Sequence, residues 1–487
     1  MKRQNMILGL SALLAAAFTV NSSAQVGAPF IHDPSTIVKC DGKYYTFGTG
    51  GGGLMSEDGW TWQSGAQRPG GGAAPDAMKI ADDKYLVVYG STGGGLGGGH
   101  AGKINTMWSK TLDPKSPDFG FTEAVEIASS EIDEDCDAID PSVLLDPTTG
   151  RMWVSYGTYY GFIRLVEIDP VTFKRVKGNV AKDIAIDCEA SSLIYRNGWY
   201  YLLGTHGTCC DGVNSTYNIV VGRSREVTGP YLDNMGRDML KGGGKMVVGA
   251  RDRKTGAGHF GRYIEEEGVE KMSFHWEADY DQGGRSVLAI RPLLWKNDWP
   301  YAGELFQEGT YEIESERRGY ALELAVDFVR QNAGRGMGGM FGGASAAPAK
   351  PLEEQALLDV YETWPKENIA LRIGDYMFRP HQKWTITAVP EAGGYLGGQY
   401  YKITIAGTKR ALAATADREV ISVPQYTGAP EQLWRIEQLT DGTYRIMPKE
   451  VPGCDEELVL MSTGDSTPSL GKFDMNSDNY KWNFRTW

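Results

Sequence analysis

Three carboxylates stand where a polar side chain opens an apolar strand: Asp33 in HDPSTIV, Asp140 in DAIDPSVLL and Glu189 in CEASSLIY. Acids that converge from separate strands can divide the hydrolysis of a glycosidic bond between them. One carboxylate activates water or attacks, and one carboxylic acid protonates the leaving oxygen. A third carboxylate beside the acid raises its pKa, because like charges in a partly desolvated cavity resist simultaneous ionisation. A lone Asp-Pro-Ser reads more simply as a turn, since Asp and Ser hydrogen-bond neighbouring backbone and Pro fixes φ. Two copies, at Asp33 and Asp140, each ahead of an apolar strand, favour the chemical reading.

The elements that must position these acids repeat along residues 30 to 295. Strands such as KYYTFGTG, KYLVVYGST, RMWVSYGTYY, GWYYLLGTHGT and SVLAIRPLLW are each bounded by Gly, Asp or Asn. Asp76 in APDAMKI and His259 in GAGHFGRY extend the set of strand-opening polar residues to five, at 33, 76, 140, 189 and 259. Their spacing, 43 to 70 residues, fits the roughly 40 to 50 residues of a four-stranded propeller blade plus loop insertions. Five units predict a five-bladed β-propeller, whose innermost strands line a channel where residues distant in sequence meet.

From residue 305 onward the period changes. Strands YALELA, RALAAT and LVLMST are each followed by a closing QKW, QLW or YKW, at 382, 432 and 480. Three quasi-equal units predict a β-trefoil over 305–487, with a Gly/Ala/Pro-rich excursion at 331–351. The fold class expected is therefore all-β, a five-bladed β-propeller followed by a β-trefoil.

Composition narrows the partners. Sixty-three glycines in 487 residues, with 25 tyrosines and 13 tryptophans, suit short strands and tight turns. Residues 1–24 read as a signal peptide: Lys2 and Arg3, an apolar stretch, then a small-x-small site before Gln25. That apolar stretch is short for a span, so export to periplasm or medium is expected, without membrane insertion. A net charge of −13 argues against nucleic acid as a partner. The six cysteines, Cys40, Cys136, Cys188, Cys209, Cys210 and Cys454, set no pairing, and nothing sets an oligomeric state.

The stretches HDPSTIVKCDGKYYTFGTG, DAIDPSVLLDPTTGRMWVSYGT and CEASSLIYRNGWYYLLGTHGTCCDGVNSTYNIVVGRS resemble glycoside hydrolase family 43, within it the endo-α-1,5-L-arabinanases, over residues 28 to 300. The resemblance implies an inverting enzyme on arabinan or arabino-oligosaccharides, in a catalytic unit covering 25–304. It implies Asp33 as general base, Glu189 as general acid and Asp140 as the residue that tunes that acid. It implies, too, that His259 holds a calcium ion with water molecules. Asp76 matches the acidic position of the family's WAPD segment, where Ala73 replaces the aromatic ring. The carboxylate trio alone leaves open an exo-acting α-L-arabinofuranosidase or β-xylosidase, and a noncatalytic glycan-binding protein is the reading from another class. The C-terminal repeat resembles the ricin B lectin type. The positions of its sugar-binding Asp are read here as Glu323, Ala413 and Leu460, which favours packing against the propeller over sugar binding.

Overall fold

The computed structural model describes residues 25–486 apart from 92–101, 134–136, 159–160, 318, 327–363, 377–378 and 464–466. The signal peptide at 1–24 and the excursion at 331–351 lie outside the described residues, as does Cys136. The one α-helix among the described residues is the short Ser130–Asp133, and no helix there is long and apolar enough to cross a membrane.

Five antiparallel sheets form the blades of a propeller, each with its first strand innermost. The inner strands are Val38–Cys40, Ala73–Ala81, Ser142–Leu145, Glu189–Arg196 and Lys254–Glu266. Consecutive blades bury apolar side chains against each other, as where Leu86, Val88 and Ile104 meet Val143, Val154 and Val166. Closure comes from the N-terminal segment. Val26–Gly27 adds a parallel edge strand to Thr61–Gln67 of the first blade, and Phe30 then bridges Val287 of the fifth.

Each blade's inner segment passes once through the same backbone state. Asp33, Ala74, Asp140, Ala190 and His259 all adopt a left-handed conformation, with φ of 52°, 44°, 51°, 47° and 63°. Asp and His tolerate this region better than most residues, whereas at Ala it costs of order 1 kcal/mol or more. This register corrects one expectation. The second-blade counterpart of Asp33 is Ala74, so Asp76 falls one layer deeper, level with Ser142 and Ser192. There Asp76 joins three blades, its Oδ1 accepting from Thr36 N (3.0 Å) and its Oδ2 from Ser142 Oγ (2.8 Å) and Val143 N (3.1 Å).

The C-terminal region is a β-trefoil. Gly309–Ser315, Lys383–Ala388, Tyr401–Ile405, Trp434–Gln438, Tyr444–Pro448 and Trp482–Arg485 close into a barrel through the Tyr401–Trp434 and Tyr444–Trp482 pairings. Trp384, Trp434 and Trp482 fill the core, and their indole N–H groups donate to the carbonyls of Leu322, Leu412 and Leu460. That equivalence moves the third lectin position from Leu460 to Met461, leaving Glu323, Ala413 and Met461.

The two units share a core. Leu396, on a trefoil loop, packs among Ile31, Tyr44, Leu54, Trp62, Leu288 and Ile290 of the first and fifth blades. Gly397 N donates to Gly59 O at 3.1 Å, and a Cβ on Gly59 would lie 2.6 Å from Leu396 Cα. Around this plug, Glu265 and Lys271 of the propeller pair with Arg435 and Glu437 of the trefoil. Buried charges are tolerated only when neutralised this way.

Candidate active site

Asp33, Asp140 and His259 occupy these left-handed positions, Glu189 directly precedes that of the fourth blade, Ala190, and all four lie at one mouth of the channel. Asp140 Oδ2 accepts from Ala190 N at 3.2 Å, which sets it against the backbone that carries Glu189. Asp33 Oδ2 accepts from Thr49 Oγ1 at 2.7 Å and lies 2.9 Å from His32 Nδ1. The Asp33 N–H donates to His275 Nδ1 at 3.0 Å, leaving the proton of that ring on Nε2. Glu189 Oε1 accepts from the Tyr217 hydroxyl.

The three acids differ in protonation because their surroundings differ. Burial alone would raise Asp33, but the neighbouring His259 and His32 rings hold it well below the usual carboxylate range. Burial pushes Asp140 up to about 7, helped by the charge on Asp33. Burial again, then Asp140 and Asp33, push Glu189 up to about 9. At neutral pH the mouth therefore holds an ionised Asp33 and a protonated Glu189, the division that acid–base hydrolysis requires.

His32, Thr49, Tyr217, His275 and Glu277 were not among the residues singled out from sequence. His275 and Glu277 lie two apart on the strand Val269–Asp279, on the same face. Three ionisable residues at period two in SFHWEAD, His275, Glu277 and Asp279, were the available signal. His32 stands directly before Asp33, bonded to it at one ring nitrogen and to Glu277 Oε1 at the other, 2.9 Å away. Burial would lower His32, yet its bonds to Asp33 and Glu277 push it up to about 11.

His259 is buried, and its Nδ1 has no hydrogen-bond partner among the described residues. The nearest acidic oxygen, Asp33 Oδ1, is 3.7 Å away, too far for a hydrogen bond. One free nitrogen facing carboxylates suits a hydrated cation whose remaining ligands are waters, because calcium prefers oxygen. Cys209 and Cys210 are joined as a disulfide at the rim, and Cys40, Cys188 and Cys454 form none among the described residues.

Beside Thr49 a hollow of about 210 Å³ is lined by Gly50, Gly72, Ala73, Gly90 and Ile139, which brings two glycine-rich segments, 49–55 and 68–75, to the border of the site. The larger cavity, about 810 Å³, opens at the other ends of the inner strands, between Lys39, Lys79, Leu145, Tyr195 and Tyr263. The Asp76 layer separates it from the acids, and it contains none of the three.

Comparison with known proteins agrees with this architecture. The profile of Glycosyl hydrolases family 43 matches residues 26–300, and that of the Ricin-type beta-trefoil lectin domain-like family matches 380–461. The extracellular endo-alpha-(1->5)-L-arabinanase 1 of Bacillus subtilis is 30% identical over 326 residues, 60% of this chain and 95% of its own. An extracellular exo-alpha-(1->5)-L-arabinofuranosidase of Cellvibrio japonicus is 33% identical over 227 residues, 42% of this chain and 64% of its own. Among solved structures, a Cellvibrio cellulosa alpha-L-arabinanase complexed with arabinohexaose superimposes with a TM-score of 0.51 at 26% identity, covering 56% of this chain and 95% of that one. With more than half its length matched by the family profile, the chain belongs to glycosyl hydrolase family 43.

Proposed function

We propose that this protein hydrolyses α-1,5-L-arabinofuranosidic linkages in arabinan, with inversion, from the mouth that holds Asp33, Asp140 and Glu189. The observation that carries the reading is the meeting of Asp33, Asp140 and Glu189 at one buried mouth, whose surroundings drive Asp33 down and Glu189 up. The relatives named for arabinan supply the substrate class. In the reaction Asp33 accepts a proton from a water molecule whose oxygen attacks the anomeric carbon. The glycosidic C–O bond breaks on the opposite face, and Glu189 gives its proton to the departing oxygen. Asp140, against the Glu189 backbone, keeps that acid protonated by its proximity.

Endo action is the favoured mode, and an exo mode is the second reading because an exo-acting relative is of similar identity. Digestion of linear and branched arabinan, with products resolved by length, tests both. Early release of mixed oligosaccharides supports endo cleavage, only monosaccharide from the first minutes overturns it, and binding without hydrolysis overturns the enzyme reading. Export is proposed with residues 1–24 removed, a reading supported by relatives named as extracellular and tested by N-terminal sequencing of the secreted protein.

For calcium, His259 Nδ1 would be the one protein ligand, with waters completing the shell. Bound there, the ion would add positive charge beside the acids. Elemental analysis of native protein and of His259→Ala tests this: calcium in the first and not in the second supports it, and calcium in neither overturns it.

A further inference from the structure

We propose that Glu277 is a positioning residue for the general base, holding Asp33 in its attacking geometry through His32 and His275. The inference rests on the reading of Asp33 as the base. Glu277 has 3% of its side chain exposed and sits one blade away from Asp33. Its Oε1 bonds to His32 Nε2 at 2.9 Å and accepts from Cys210 N at 3.2 Å, and His275 Nε2 faces it at 3.5 Å, beyond a hydrogen bond. Both rings then reach Asp33 with their other nitrogen. His32 Nδ1 lies 2.9 Å from Asp33 Oδ2, and His275 Nδ1 accepts the Asp33 N–H at 3.0 Å. The rings stack with centroids 4.6 Å apart, so tilting one disturbs the other.

Glu277 thus fixes the far end of the His32 ring and faces, through its charge, the His275 ring stacked on it, and the near ends of these rings grip the carboxylate and the backbone of one residue. The neighbouring strand makes room for it. A Cβ on Gly256 would lie 2.4 Å from Glu277 Cβ, and Gly256 has φ +70°, so only glycine suits that place. Asp33 is part of a left-handed entry with no regular strand pairing of its own, so side-chain braces must set its orientation. An attacking water needs its base aligned closely, and a misplacement of 1 Å can cost about a hundredfold in rate.

The test compares two nucleophiles. Glu277→Gln keeps shape and an acceptor oxygen but removes the charge that holds both rings. We expect kcat on an aryl arabinofuranoside to fall about a hundredfold with KM little changed. The same substitution is then placed in Asp33→Gly enzyme supplied with azide. Azide attacks the anomeric carbon without a base, giving the glycosyl azide as the glycosidic bond breaks and the leaving oxygen takes its proton from Glu189. Glycine suits the left-handed φ at residue 33. In this background Glu277→Gln should change the rate by less than about twofold, since no base remains to be aligned. A loss that persists with azide shows that Glu277 supports the whole mouth, and overturns the proposal, as does an unchanged kcat in the single variant. If Asp33→Gly keeps its water reaction, or azide restores nothing, the base assignment itself falls and takes the proposal with it, a result separable from the first. Should Glu277→Gln not fold, Glu277→Asp retains the charge but shortens the reach. A lowered kcat at constant KM, absent with azide, supports the proposal, and wild-type kinetics overturn it.

Discussion

Two buried carboxylates, one in each unit, carry the contrast that separates chemistry from scaffold. Glu323 of the trefoil receives Arg372, Gln382 Nε2 at 2.7 Å and His381 Nε2 at 3.2 Å, and hydrogen bonds from these groups keep it low despite burial. Every strong demand of that carboxylate is met inside the protein. Glu189 of the propeller is buried almost as deeply, but its neighbours are two more acids and a tyrosine hydroxyl. Burial alone therefore marks neither as functional. What distinguishes the mouth is that its acids are left in conflict with each other, where a satisfied arrangement was available to the fold elsewhere.

The largest expected effect is at Glu189. Glu189→Gln should lower hydrolysis of arabinan by about 10²–10⁴-fold while leaving the melting temperature and oligosaccharide binding nearly intact. An aryl arabinofuranoside with a good leaving group should suffer less, and equal losses on both would remove Glu189 from the acid role. Second in size is the response to pH. A raised acid is active in its protonated form, so kcat should be level through neutrality and fall as pH rises through about 9, the value to which burial and the neighbouring acids push Glu189. In Glu189→Gln the residual rate should lose that alkaline fall, which a pH profile from 5 to 10 would reveal.

Leu396→Ala probes the seam between the units. Removing a large apolar side chain from a packed site costs about 2–5 kcal/mol, and here the loss should appear in the unfolding of the propeller as much as of the trefoil. Activity well below the melting temperature should change little. Two separate calorimetric transitions, with only the trefoil's lowered, would show that the units fold independently. A chain ending near residue 304 should by the same logic expose the apolar patch that Leu396 covers and lose solubility. The smallest effect on activity is expected from Glu323→Gln. It should cost stability by stranding Arg372 and His381, yet leave arabinan binding within about twofold of the parent. A soluble, stable variant that loses polysaccharide binding would make Glu323 a sugar ligand and erase the contrast drawn above.

Much of this was legible in the sequence because it recurs. Tryptophans at 384, 434 and 482 announce three units, and Asp33 and Asp140 announce inner strands through the same tripeptide. The register of the second blade was not legible for a physical reason. Searching for polar side chains finds Asp76, whereas the repeating feature is a backbone torsion that Ala74 adopts without any chemical label. His32 and Glu277 meet across 245 residues, and no local pattern encodes a contact made only when the fifth blade closes on the first. Leu396 was equally silent, a single apolar residue in the glycine-bordered loop GGYLGGQ.

That one leucine also bears on how such a gene can be rearranged. Accessory units strung on a linker can be exchanged between enzymes by recombination, each arriving with its own surface already complete. Here an exchange near residue 304 would leave the incoming unit to supply an apolar side chain at one point between the first and fifth blades, on a glycine-flanked turn that approaches Gly59 backbone to backbone. A generic replacement lacks it. The two units are thus expected to travel together through lineages, with substitutions at Leu396 matched by changes at Trp62, Leu288 or Ile290 across the chain.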